Sequence, residues 1–177
     1  MLALLCSCAS MQGPANAFRL TAPEHSDNAM LAQKHAGNNK ANPNCVGQNI
    51  SPTLQWANAP EKTRSFAIVM DDPVGRAGMG ASHWVAYGIP ATVTALAEGE
   101  VSSPSKSVVG GKNTGGTAFY AGPCPPRGDA AHHYVFTLIA TELEPDALKP
   151  GLTRSELLES LKGHTLRAAS LVLRYAH

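Results

Sequence analysis

Three stretches of the chain carry side chains able to move protons, take up anions or hold metals. They are Asp71-Asp72-Pro73, Ser82-His83-Trp84, and Gly122-Pro123-Cys124-Pro125-Pro126-Arg127-Gly128 with His132-His133-Tyr134 shortly after. Histidine donates hydrogen bonds to anions and takes a proton near neutral pH beside a carboxylate; a tyrosine hydroxyl adds a neutral donor. Taken singly, each stretch has a plain structural explanation. Asp before Pro starts turns, a His beside a Trp can fill a core, and a Pro/Gly run makes a rigid loop. A metal set of Asp72, His83 and His132 is one reading of the three together, but neither an HxxxH spacing nor paired cysteines call for it. Ser82 beside His83 offers a nucleophile and a base, yet neighbours on a strand face opposite ways, and there is no G-x-S-x-G elbow. The Gly110-Gly111-Lys112-Asn113-Thr114 run lacks the spaced first glycine and the Ser/Thr after Lys of a phosphate loop, and is read as a surface turn.

The elements that must position these residues are short and β-rich. Ser65–Met70 is a continuous apolar run stopped by Asp71-Asp72-Pro73, the pattern of a buried strand ending in a turn, with Asp72 at its exit. Alternation from His83 to Ile89 predicts a strand with His83, Val85, Tyr87 and Ile89 on one face and Trp84, Ala86 and Gly88 on the other. His133–Ala140 and Ala168–Tyr175 are dense in β-branched, aromatic and other apolar residues and predict two more strands. Tyr87 and Tyr134 carry hydroxyls into the core or a cavity. One helix is signalled: Thr153 and Glu156 have capping-box spacing, Leu152 and Leu157 suit a hydrophobic staple, and Gly163 can end it. Residues 38–50, rich in Asn, Gly and Pro, are expected to form a polar loop of the kind that builds sites.

The length of 177 residues and 44% hydrophobic content suit one domain with a single sizeable core. A net charge of +1 with 15% charged residues provides no field to hold nucleic acid or an acidic membrane, so partners must be recognised at a site. Residues 1–17 read as a curtailed export signal and tether. Leu5-Cys6-Ser7-Cys8 resembles a lipobox, with Cys8 the better candidate for lipidation, and the folded domain is expected over 18–177. The expected location is exported, periplasmic or membrane-anchored, with membrane contact through that lipid anchor alone.

From about Asn38 to His177 the motifs resemble the phosphatidylethanolamine-binding protein family, in its bacterial Raf-kinase-inhibitor-like branch. Cys45-Val-Gly-Gln-Asn-Ile-Ser-Pro52 with Leu54-Gln-Trp56 is similar to the family's opening segment. Ser65–Pro73 resembles its strand ending in Asp-Pro, and His83-Trp84-Val85 the histidine-bearing strand that follows. Tyr120-Ala-Gly-Pro-Cys-Pro-Pro-Arg-Gly128, with His132 and Tyr134 in register, is the most specific match. The resemblance implies a mainly β fold, a large antiparallel sheet core with a few peripheral helices. It also implies a small pocket for phosphate-like or carboxylate-like groups. Its ligand-binding residues would be Asp72, His83, His132 and Tyr134, with Tyr120 and the backbone from Gly122 to Cys124 shaping the rim.

Several positions depart from the family pattern. Val74 stands where many relatives have a second acid, Val46 replaces an acid after the early cysteine, and His133 stands where an arginine is common. Phe119 precedes Tyr120 in place of a glycine, narrowing the mouth. The resemblance brings Cys45 and Cys124 close enough to suggest a disulfide in an exported protein. The expected function is non-catalytic binding of a small anionic or zwitterionic ligand such as a phospholipid headgroup, with no cofactor. The alternative is a kinase- or protease-inhibitor-like module docking a protein partner, and homodimer formation is a further partner expectation.

Overall fold

A computed structural model describes residues 16–177; Cys6 and Cys8, and with them the expected lipidation, lie outside the described residues. Among the described residues, nine strands and three short helical elements follow in order: β1 (Arg19–Thr21), β2 (Ala29–Met30), a 3₁₀ turn (Gln33–His35), β3 (Leu54–Ala57), β4 (Ser65–Asp72), α1 (Gly75–Gly78), β5 (Ala81–Pro90), β6 (Ala95–Leu96), β7 (Val109–Gly110), β8 (His132–Thr141), α2 (Arg154–Ser160) and β9 (Thr165–Tyr175). They form a six-stranded sheet in the order β2-β9-β8-β4-β5-β7 and a three-stranded sheet in the order β1-β3-β6. All pairings are antiparallel except β2 with β9. The mainly β fold expected from the sequence is the fold observed.

The large sheet is covered on both faces, which explains why β4 reads as an unbroken apolar run. Phe66, Ile68 and Met70 pack with Phe18, Leu20, Leu54 and Trp56 beneath the small sheet. Phe66 stacks on Phe18 at 6.1 Å and meets Trp56 edge-on at 5.5 Å. Ala67 and Val69 face the other way, against Leu152, Leu157 and Leu161 around α2. That helix begins with the expected reciprocal cap: Glu156 N–H donates to Thr153 Oγ1, and Thr153 N–H to the Glu156 carboxylate. Leu152 and Leu157 are buried in one cluster, as a staple requires.

β5 departs from the expected alternation at two places. Met70 pairs with Trp84 and Asp71 with Ser82, leaving His83 as an extra residue in a bulge; Phe66 pairs with Ile89 and Ile68 with Ala86, giving a second extra residue where Gly88 has φ +63°. Each insertion shifts a period-two pattern by one face. Ile89 therefore joins Trp84 and Ala86 in the inter-sheet core, not Tyr87 and Val85. His83 is likewise carried to the Trp84 side, where its ring meets Tyr134 edge-on at 5.1 Å.

The Gly110–Thr114 run is also not the surface turn expected. Gly110 pairs with Ala86 in edge strand β7, Gly111 and Asn113 are buried, and the Asn113 amide donates to the His83 carbonyl at 3.0 Å. The Tyr87 hydroxyl serves structure, donating to the Lys149 carbonyl and accepting from Leu152 N–H.

Candidate functional site

The β4 exit, the β8 start and the His83 bulge meet at one end of the large sheet. Asp72 is 3% exposed, yet all its hydrogen-bonding demand is met: Oδ1 accepts from Val74 N–H and Gly75 N–H, both at 3.1 Å, and Oδ2 accepts from His132 Nδ1 at 2.7 Å. The Asp-Pro signature thus folds as a side-chain-capped turn whose second oxygen grips the first residue of β8. His132 Nε2 lies 3.5 Å from Asp129, so the imidazole bridges two carboxylates. His133, next along β8, is exposed on the opposite face, as alternation predicts.

Tyr134 stands between the two histidines, edge-on to His83 and stacked on His132 at 6.4 Å. Its hydroxyl is buried without a partner among the described residues, as is Ser82 Oγ. Burial, with the Asp72 charge, pushes the Tyr134 hydroxyl far above its ordinary pKa, so it remains a donor.

His83 is held toward its neutral form. Burial pulls its pKa below the ordinary value; hydrogen bonding to the Ala121 carbonyl, the Asp72 charge and the Gly122 backbone oppose burial without outweighing it. Nδ1 bonds the Ala121 carbonyl at 2.8 Å, so the neutral ring carries its proton there and its lone pair on Nε2.

The wall opposite is the 120–124 loop, held from several sides. Asn49 donates to the Tyr120 carbonyl at 2.9 Å and accepts from Gly122 N–H at 2.8 Å. Gly122 runs so close to the 35–37 backbone that a Cβ there would lie 2.2 Å from the His35 carbonyl oxygen. Cys124 is disulfide-bonded to Cys45. Tyr120 supplies wall and no free donor, since its buried hydroxyl donates to the His35 carbonyl at 2.9 Å.

Between loop and bulge lies a cavity of about 430 Å³, within the usual range for small-molecule sites. His83, Phe119, Tyr120, Gly122 and Cys124 line it, together with Asn49, Asn113 and Arg76, which no sequence motif assigns to ligand binding. Asp72 borders a neighbouring, more open groove with Arg76, Lys112 and Arg154. His132 and Tyr134 border neither cavity and support them from behind. The structure therefore gathers the expected residues but splits them into a lining set and a backing set. Arg76 follows the Asp-Pro turn, has φ +54°, borders both openings and forms no ion pair among the described residues. A lone arginine in a glycine-containing turn gave no sequence signal.

Fold and site together define a two-sheet β-protein with a small pocket at the end of its larger sheet, walled by a disulfide-tied loop. A family model for phosphatidylethanolamine-binding proteins matches residues 21–176. The UPF0098 protein YbcL of Escherichia coli K12 is 37% identical over 134 residues, covering 73% of this chain and 72% of that protein. A UPF0098 protein of Aquifex aeolicus is 38% identical over 132 residues, covering 74% and 77%. The crystal structure of E. coli YbcL, described as a member of the mammalian PEBP family, superposes with a TM-score of 0.81 at 31% identity over 90% of this chain and 98% of that one. A PEBP homologue from Chlamydia trachomatis gives 0.78 at 30% identity over 92% and 99%. The chain belongs to the phosphatidylethanolamine-binding protein family.

Proposed function

We propose that the protein is a non-catalytic binding protein whose pocket accepts a small phosphate-like or carboxylate-like group. The cavity itself carries this reading: the unpaired guanidinium of Arg76 stands on its rim, and the buried carboxylate of Asp72 already has both oxygens occupied by three hydrogen-bond donors. A cation without a partner beside satisfied acids leaves local charge for an anion to complete. The unpartnered hydroxyl of Ser82, which borders both openings, supports the same reading, because a buried polar atom without a partner among the described residues marks a place where another polar group belongs. With its proton on Nδ1, His83 takes up a proton when an anion arrives, so binding couples to protonation. The Cys45–Cys124 bridge supports placing the domain in an oxidising, exported compartment.

The test is titration with phosphate, phosphoethanolamine and acetate, following histidine ring signals by NMR in the wild type and in Arg76→Ala. Saturable movement of the His83 signal is expected, with affinity lowered about fivefold or more in Arg76→Ala, the loss of one charge-assisted contact. No movement at millimolar ligand, or equal affinity in the variant, would sink the proposal.

A further inference from the structure

On the far side of the pocket wall lies a cluster the anion site does not use. Glu24 and His25 stand on the tight turn after β1, where His25 N–H donates to the Ala22 carbonyl at 2.9 Å. His35 ends the 3₁₀ turn Gln33–His35 and is fully buried. One donor atom from each of the three residues lies within 4.8 Å of the others. No other trio of such donors is gathered this way among the described residues; Asp72, His83 and His132 are not.

The ring of His35 is oriented by its surroundings. Nδ1 bonds the Ile50 carbonyl at 2.7 Å, so the proton sits there and Nε2 carries the lone pair. A backbone carbonyl behind Nδ1 is the usual way a protein fixes a metal-ligating imidazole. Among the described residues His35 Nε2 is buried without a partner, and so is His25 Nε2. The two rings meet edge-on with centroids 5.4 Å apart. Two orphan imidazole nitrogens beside one carboxylate are hard to account for as packing, because each leaves a buried polar atom unsatisfied.

We propose that Glu24, His25 and His35 form a binding site for a divalent transition-metal ion of the zinc type, separate from the anion pocket. Two imidazoles and one carboxylate are a donor set that suits zinc and leaves a fourth position open. Tetrahedral ligands at zinc distances stand about 3.4 Å apart, inside the 4.8 Å that bounds every pair of these donors, and the exposed Glu24 side chain can turn toward the two rings. Lys34 is the competing cation, 3.9 Å from Glu24 and closer to Glu98; it stays paired with Glu98 when Glu24 turns to the ion.

The experiment titrates the metal-stripped full chain with Zn²⁺ by calorimetry and with Co²⁺ by visible absorption, in the wild type, His25→Ala and Glu24→Gln. His25 is only partly buried and Glu24 exposed, so both variants keep the buried His35, and circular dichroism checks their fold. One ion per chain is expected, with a Co²⁺ spectrum of nitrogen and oxygen ligation, and affinity falling at least tenfold in each variant. Absence of saturable binding in the wild type overturns the proposal. So does binding unchanged in the two variants but lost in His132→Ala, which would assign the ion to His132 and the two carboxylates it bridges, Asp72 and Asp129.

Discussion

Asp72→Asn isolates what the Asp-Pro signature does. The asparagine retains Oδ1 for the Val74 and Gly75 amides but sets an NH₂ group against His132 Nδ1, which now donates at 2.7 Å. To avoid two facing donors, His132 must move its proton to Nε2 and accept at Nδ1. A charge-assisted bond worth about 1.5–3 kcal/mol becomes a neutral one worth about 1, and the two turn bonds also lose their charge assistance. The expected loss is about 2 kcal/mol, discounted little for solvent because the two side chains are 4% and 9% exposed. With a urea slope of about 2 kcal/mol per molar, the unfolding midpoint drops by about 1 M. Ring-nitrogen shifts of His132 should report the tautomer change directly. A midpoint within about 0.2 M of wild type, with the proton still on Nδ1, would show that this contact does not hold β4 to β8, and the two-part reading of the site would fail.

Further outcomes follow from the same geometry. His83 has a lowered folded-state pKa, so the unfolded chain takes its proton first: its stability contribution is full above the unfolded pKa near 6.5 and is lost as pH falls through the folded value. His83→Gln should flatten the stability-against-pH slope below that point by up to about 1.4 kcal/mol per pH unit, measured by urea unfolding from pH 7 to 5. Gly122→Ala places a Cβ 2.2 Å from the His35 carbonyl oxygen, a backbone atom with no room to yield; unfolding should show a loss of at least about 1–3 kcal/mol. Replacing Cys45 and Cys124 by serine opens a loop of sequence separation 79 and should cost about 4.5 kcal/mol by chain entropy, read as a lower melting temperature than the oxidised wild type.

The strands were legible in the sequence where two-faced burial leaves nothing but apolar residues, as in Ser65–Met70 and His133–Ala140, and α2 where its cap chemistry is written in Thr153 and Glu156. The two faces of β5 were not, because a bulge adds a residue without changing its composition. Only Gly88, with its positive φ, hints at one bulge, and nothing in Ser82-His83-Trp84 marks the other. Family motifs brought Asp72, His83, His132 and Tyr134 to one end of the sheet, yet left open which face the cavity. That division depends on Asp72 spending both oxygens locally, which becomes visible once the turn to Gly75 is built. Arg76 and Asn49 sit in loops with no periodic signal, so their roles come from three-dimensional closure alone.

Polar chemistry collects where regular pairing stops because a strand interior has no capacity for it. Within β4 and β8 the backbone groups are committed to neighbouring strands and the side chains to two packed clusters, so an unspent donor or charge there would be penalised. At the His83 bulge, the β4 exit and the 120–124 loop, backbone groups lack strand partners and side chains take over. Asn49 serves Tyr120 and Gly122, Asn113 serves His83, and Asp72 serves Val74 and Gly75. These residues fix the wall before a ligand arrives and lower the ordering cost of binding. The same lattice accounts for Tyr120: by donating to His35 it gives up a role at the rim and ties the pocket wall to the segment that carries the buried imidazole.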